Sequence, residues 1–429
     1  MLLTIEKLVY GGDGLARGPE KAIFVPFVLE GEQVEAEIIE ERPGFARAEL
    51  REIIAPSRNR LAHTCPYFAR CGGCHYQHTG YEHQLEIKAA ILRETLRRTG
   101  KLDWTGELTL HPSPPWNYRN RTRMRIMHEP TFSLAYFRFG SHQPLAVAEC
   151  PISSPLINRA IAALNTLCET PEHAAEMEFF AGADDRQLMI ELYCTEPPAR
   201  DAVERWHTKL RQALPEVASV AAFAAPAAHK ACAQPLPRKL IAHSGEPALA
   251  CNAAGHEYRV SAGSFFQTNR HMTGELIRLA TADRAGSAAL DLYAGVGLFT
   301  LPLAQTFERV LAVESSPFSA ADLRRNVPAN VRAIEQPVER FLAAPQAKKL
   351  RADFVIVDPP RAGLGERTAL QLAALNPPHI TYVSCDPATL ARDLRVLLAA
   401  GYSAQQVHLV DLFPQTFHLE TVVHLARTA

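Results

Sequence analysis

Asp291–Ala304, DLYAGVGLFTLPLA, passes from one apolar run through Gly295 and Gly297 into another. Glycines at this spacing let a strand turn sharply into a helix and let backbone come close to a ligand. The same alternation continues downstream. SAALDLYAG (287–295), RVLAVESS (309–316), DFVIVDPP (353–360) and HITYVSCDP (379–387) each end an apolar run at a turn, and QQVHLVDLF (405–413) and TVVHLA (421–426) close the chain as a pair. This pattern predicts an α/β fold from about residue 286, with a mostly parallel sheet ending in a hairpin. Upstream the character changes. LTIEKLVYG, AIFVPFVL, EQVEAEIIEE and FARAELREII, separated by glycine turns within residues 1–55, read as about five short strands of a small closed barrel of the OB type. Residues 79–99, TGYEHQLEIKAAILRETLRRT, read as an amphipathic helix with Thr79 as N-cap and Gly100 past its end. The segment 155–250 is rich in alanine, and its sequence discloses no chemistry.

The strand after the glycine turn ends at Glu314, where a carboxylate can accept hydrogen bonds from both hydroxyls of a ribose. A dinucleotide site would place a third glycine where Thr300 stands and would need a diphosphate cradle. S-adenosylmethionine carries no phosphate and needs only the turn and the acid. The residues favour the methyl donor; the plain alternative is a turn that only packs a helix on the sheet. The next strand ends in DPPR, Asp358–Arg361, whose prolines stiffen a loop over the crevice where open α/β sheets bind ligands. Methyltransferases acting on amino groups follow a similar Pro-Pro with a stacking aromatic; Arg361 instead suits a polar-edged base held by charge.

VSCDPATLARD, 383–393, then puts Cys385 at the edge of the same crevice. A free cysteine is usually a small buried hydrophobe. As a thiolate it is a soft nucleophile, and uracil is a fitting target. Position 5 of that ring is barely nucleophilic, but a thiolate added at position 6 gives an enolate whose carbon 5 can take a methyl group. A base must then remove the proton from carbon 5, and Glu420, at the end of FPQTFHLE (413–420), stands at a late strand end.

Two clusters lie upstream. CPYFARCGGC supplies Cys65, Cys71 and Cys74, with Cys150 in AECP as a fourth. Four thiolates suit a [4Fe-4S] cluster; zinc with His63, His75 or His78 is the alternative. Radical S-adenosylmethionine enzymes use a tighter three-cysteine run. In NYRNRTRMR, Arg119, Arg121, Arg123 and Arg125 alternate and on a strand would share one face, either as a solvated edge or as a phosphate track. Composition sets the outer bounds. With 45 basic and 46 acidic residues the formal net charge is −1, which excludes a globally basic nucleic-acid binder but not local basic patches. No apolar run approaches the roughly 20 residues of a membrane span, and the first residues show no secretory signal. Nine cysteines then suggest reduced thiols or metal ligation. A cytoplasmic, monomeric protein without a membrane partner is the expectation.

The segments FFQTN, DLYAGVGLF, DPPRAGL, VSCDPATLARD and FPQTFHLE, in this order over nearly the whole chain, resemble the RNA 5-methyluridine methyltransferase family. Within it they match the branch with an N-terminal TRAM domain and an iron–sulfur cluster. The resemblance implies a TRAM barrel over 1–55, a central iron–sulfur-bearing α+β domain over 56–255, onto whose neighbour helix 79–99 packs, and a Rossmann-like methyltransferase sheet over 256–429. It implies Cys385 as nucleophile, Glu420 as base, and donor contacts from Gln267, Tyr293, Glu314 and Asp358 beside Gly295. It implies a [4Fe-4S] cluster on Cys65, Cys71, Cys74 and Cys150 with a structural or RNA-positioning role. The substrate implied is RNA, ribosomal in preference to transfer RNA, with the arginine row and Arg361 as contacts. Three residues depart from the pattern. Asp386 stands where the family often has asparagine, Leu298 where some members have a donor-contacting asparagine, and Ala294 where some have cysteine.

Overall fold

The computed structural model describes residues 1–129, 131–224, 239–281 and 284–428. The run 225–238 of the alanine-rich segment, Cys232 included, lies outside them. The glycine motif sits in an eight-stranded sheet ordered Val331–Glu335, Phe307–Glu314, Gly286–Leu292, Phe354–Val357, His379–Ser384, Glu420–Arg427, Tyr402–Val410, Leu108–His111. The first five strands are parallel; Glu420–Arg427 runs antiparallel to both of its neighbours. The predicted parallel sheet and terminal hairpin are therefore present. Strand order reverses between Gly286–Leu292 and Phe354–Val357, so a crevice opens there at the carboxyl edge. Leu108–His111 was not readable as a member. Four residues beside a proline-rich break carry too little periodicity, yet they pair parallel with Tyr402–Val410 from the far end of the chain.

Residues 1–55 form a closed five-stranded barrel, Leu2–Leu8, Asp13–Arg17, Ala22–Pro26, Phe45–Ala55 and Gln33–Arg42 in order around it. Alternate side chains fill it: Leu3, Ile5, Ile23, Val25 and Val34 are buried, with Ala36, Ala46 and Ala48 where strands crowd. A further seven-stranded sheet runs from Leu240–Gly245 to Pro144–Ala146, with Arg121–Met127 inside it. One face packs on helices Pro155–Leu167 and Arg200–Ala213. Phe180, Tyr193 and Phe223 carry the other face into a core shared with Tyr258, Phe266 and the catalytic strands. The alanine-rich segment thus supplies small, interior strand positions.

The amphipathic helix spans Tyr81–Arg98, with Gly80 at its N-cap rather than Thr79; the Thr79 hydroxyl donates to Asn59 O and meets His83 Nδ1. Its Leu85-to-Leu96 face packs into the catalytic core against helix Pro387–Ala399. At its end a Cβ on Gly100 would stand 2.7 Å from Leu96 O and 3.1 Å from Ala391 O, so glycine lets this end close against the neighbouring helix. On the same face Lys88 is fully buried, its Nζ 2.6 Å from Asp411 Oδ1 and 2.9 Å from Phe413 O. Burial pulls this ammonium below the usual lysine range, and Asp411 opposes the pull.

Lys88→Ala leaves the Asp411 carboxylate buried without its cation. Denaturant melts should show a loss of about 3–5 kcal/mol, while the paired change Lys88→Met with Asp411→Leu should cost less than either single change. A single-variant loss no larger than that of a surface lysine would show that the pair does not hold the helix.

Candidate functional site at the carboxyl edge of the sheet

Sheet register assembles the site. Leu292 pairs with Val313 and Val357, and Val357 pairs with Tyr382, so Tyr293, Glu314, Asp358 and the Ser384–Cys385 end emerge on one edge. Ser384 pairs with Thr421, which places Cys385 and Glu420 at the next position across adjacent strands. The first turn is held by its own acid. Gly295 N donates to Glu314 Oε2 at 2.8 Å and Ser316 N to Oε1 at 2.6 Å. Tyr293, Gly295 and Gly297 all have positive φ, at 66°, 57° and 99°; the Tyr293 hydroxyl donates to Glu339. Gln267 is buried on the loop 262–272, which is tied down at both ends. Arg121 Nη1 donates to Ser264 O, and Asn269 Nδ2 donates to Leu412 O.

The edge gathers acids in a poorly solvated place. Burial, with the neighbouring Asp291, lifts Asp358 to about 7. Glu420 is raised well above the usual carboxylate range by burial and by Asp358, with Arg361 pulling the other way. The Cys385 thiol is pushed up to about 12 by burial, Glu420 and Asp358, again opposed by Arg361. The free site therefore stores protons on Cys385 and Glu420, and Arg361, exposed beside His418, is a cationic counterweight. His418, half-buried and lowered to about 3 by desolvation and by Arg361, packs its ring on Phe417.

The arginine row has a different fate. Arg119 precedes the strand, and the strand Arg121–Met127 is interior, flanked by Ala174–Ala181 and Ser133–Phe137. Arg121 is buried in ion pairs with Glu178 and Glu191, Arg123 pairs with Glu176 and stacks 3.7 Å over Tyr193, and Arg125 lies 3.9 Å from Glu176. The predicted track of four free cations is thus replaced by a neutralised ladder. Arg119 turns instead to a cavity of about 470 Å³ that Cys65, Cys71, Cys74 and Cys150 also line, and its buried Nε has no hydrogen-bond partner. None of His63, His75 and His78 lines that cavity. Among the described residues no group of three or more His, Cys, Asp or Glu is arranged to hold a single metal ion.

Sequence reasoning missed Tyr10 and Phe417, which meet at this edge with ring centroids 5.4 Å apart, and it gave His418 no part. Phe417 and His418 lay in a quoted motif; nothing local marks Tyr10, whose partner Asp386 is 376 residues away in the chain.

Comparison with known proteins gives a consistent picture. The family model for tRNA (uracil-5-)-methyltransferases matches residues 80–428, and that of the TRAM domain matches residues 1–50. A 23S rRNA (uracil(1939)-C(5))-methyltransferase of Pectobacterium atrosepticum is 30% identical over 98% of this chain and 92% of its own length. An RNA methyltransferase of Aquifex aeolicus is 31% identical over 99% and 97%. The crystal structure of Pyrococcus abyssi tRNA (uracil-54, C5)-methyltransferase with S-adenosyl-L-homocysteine superposes with a TM-score of 0.74 at 25% identity, covering 99% of this chain and 100% of that one.

The thiol can be followed without substrate. Alkylation of Cys385, read on its own peptide by mass spectrometry, should keep rising with pH beyond 9 and show no plateau at the pH of an ordinary thiol, since the folded site holds it near 12. Arg361→Ala should slow it at each pH by about tenfold per unit of further rise. A plateau near pH 8.5 in the native protein would contradict this electrostatic picture.

Proposed function

The chain belongs to the RNA uracil-5-methyltransferase family, and from that premise we propose that it methylates carbon 5 of a uridine in 23S rRNA through a covalent bond between Cys385 Sγ and ring carbon 6. The observation that carries this reading is the register that sets Cys385 and Glu420 on neighbouring strands of one edge, beside the glycine turn. S-adenosylmethionine supplies the methyl group; Gln267, Tyr293, Gly295, Glu314 and Asp358 are its proposed contacts. Glu314 would exchange one of its backbone partners for ribose hydroxyls.

The chemistry follows from the acid-rich edge. The thiol must first lose its proton to solvent, which Arg361 favours. Sulfur then adds to carbon 6, and the ring's electron pair moves to the carbon 5–carbon 4–oxygen enolate, where Arg361 stands as a cation for the developing charge. Carbon 5 takes the methyl group and S-adenosylhomocysteine leaves. Glu420, after giving its own proton to solvent, removes the carbon 5 proton; the returning pair expels the thiolate and restores the ring. The uridine has to be turned out of its stack, at a cost of a few kcal/mol. The barrel and the exposed Arg361 are the proposed sources of compensating RNA contacts, and single-stranded loops are the favoured targets.

The four cysteines that share one cavity fit a [4Fe-4S] cluster, in which each thiolate serves its own iron. When bound, the cluster would cross-link the cysteine loop to Cys150. Arg119, which lines the same cavity and whose buried Nε has no partner, would offset their negative charge. Anaerobic protein should contain about four iron and four sulfide per chain, lost in Cys150→Ser; one zinc per chain would overturn the assignment.

A 23S rRNA fragment carrying 5-fluorouridine should trap a covalent adduct, because fluorine cannot leave as the proton does. The adduct should vanish in Cys385→Ala. Glu420→Gln should slow turnover by about 10²–10⁴-fold and accumulate methylated adduct on ordinary RNA. An adduct that survives Cys385→Ala would sink the mechanism; trapping on transfer RNA alone would move the substrate.

A further inference from the structure

The N-terminal barrel reaches the nucleophile. Val9–Gly12, the turn after strand Leu2–Leu8, is closed by hydrogen bonds from Gly12 N to Val9 O and from Val9 N to Asp13 O. At its tip the Tyr10 hydroxyl donates to Asp386 Oδ2 at 3.1 Å, and the ring meets Phe417 edge-on at 87°. Gly12 seats the turn against the cysteine loop: a Cβ there would stand 2.9 Å from His75 Cδ2. Asp386 directly follows Cys385 and caps helix Pro387–Ala399, its Oδ1 accepting from Ala388 N at 3.0 Å and Thr389 N at 2.9 Å. One carboxylate oxygen is thus committed to the helix and the other to the barrel.

This carboxylate is an added burden for the thiol. Cys385 faces Glu420 from the strand Glu420–Arg427, Asp358 and Arg361 from the loop after Phe354–Val357, Asp386 beside it, and Tyr10 from the barrel. Only Arg361 among these is a cation. Asp386 sets a carboxylate next to a sulfur that must itself become negative. Burial and Asp386 hold the Tyr10 phenol above its ordinary range, so it remains a donor at all working pH values.

We propose that Tyr10 is a positioning residue for the reaction: its hydroxyl holds the Asp386 carboxylate in the cap and engages its free oxygen, so that this charge is spent on donors other than the Cys385 sulfur. The RNA-gripping barrel and the nucleophile are then coupled through one hydrogen bond. The inference rests on Cys385 as the nucleophile, but its test does not require methyl transfer.

Tyr10→Phe keeps the ring on Phe417 and removes only the donor. The pH profile of Cys385 alkylation should shift upward by about half a unit to one unit, slowing alkylation at a fixed pH of 8–9 about three- to tenfold. Asp386→Asn should shift the profile the other way. In the Asp386→Asn background, Tyr10→Phe should have no further effect on it. An unchanged profile in Tyr10→Phe overturns the proposal, as does an equal shift in both backgrounds, which would mean that Tyr10 acts only through packing. A protein that forms no adduct on 5-fluorouridine RNA could still give the expected alkylation pattern, so the two readings fail separately.

Discussion

An ammonium group with no solvent contact, Lys88 Nζ, fixes the segment that leads to Glu420. Isolated, such a charge would be expelled from the interior; paired with Asp411 and the Phe413 carbonyl it stays, and it tolerates almost no displacement. Neighbouring bonds tighten the same five residues. Gln84 and Gln415 exchange two hydrogen bonds of 3.0 Å, and Tyr118 donates to Pro414 O. Segment 411–415 is therefore held from outside the catalytic sheet, and Glu420 follows it after four residues. A buried pair of this kind adds little net stability over an apolar substitute, but it rejects every register except one.

The edge so defined is electrostatically unfavourable at rest. Asp358 and Glu420 crowd a thiol in a place with little water, and all three keep their protons more strongly than they would in solution. That is the expected signature of a site shaped for its occupied state. A sulfonium donor bound there would bring a second positive charge beside Arg361. Asp291 illustrates the same economy one layer down: buried and lifted to about 7, it takes a 2.5 Å hydrogen bond from Thr300, the residue in place of a third glycine. Thr300 thus pins the first turn of the following helix to the strand.

What was legible in the sequence was what is local. The glycine turn, the strand-ending Cys385 and the late Glu420 each sit where a periodic run stops, and register along neighbouring strands does the rest. The arginine row shows the limit. Its alternation did place Arg121, Arg123 and Arg125 on one face, but a face is free only if nothing pairs with it. The complementary signal was present in AAEMEFFA, where Glu176 and Glu178 alternate in the same phase. Cross-strand pairing sets Glu176 opposite Arg125 and Glu178 opposite Arg123, and Glu191 on the next strand completes the neutralisation. A charge row reads as a nucleic-acid track only after the chain has been searched for an acidic row that answers it. Leu108–His111 and Tyr10 were illegible for another reason: both act on partners some 300 residues or more away in the chain, and no local pattern encodes such a contact.

The cysteine loop has the same dependence on distant backbone. His75 N and Tyr76 N, immediately after Cys74, both donate to Gln415 O, at 2.8 and 3.0 Å, and the His75 ring packs 4.6 Å from Phe417. The peptide that presents a thiol to the cavity is thus continuous with the peptide that holds the approach to Glu420. A group binding the four thiols would tie residues 65–74 to Cys150 and so stiffen the floor on which Gln415 rests. Its effect on methyl transfer would pass through position alone, with no electron moving. The cysteine cavity, the buried lysine and the barrel turn are thus three separate supports of one sheet edge.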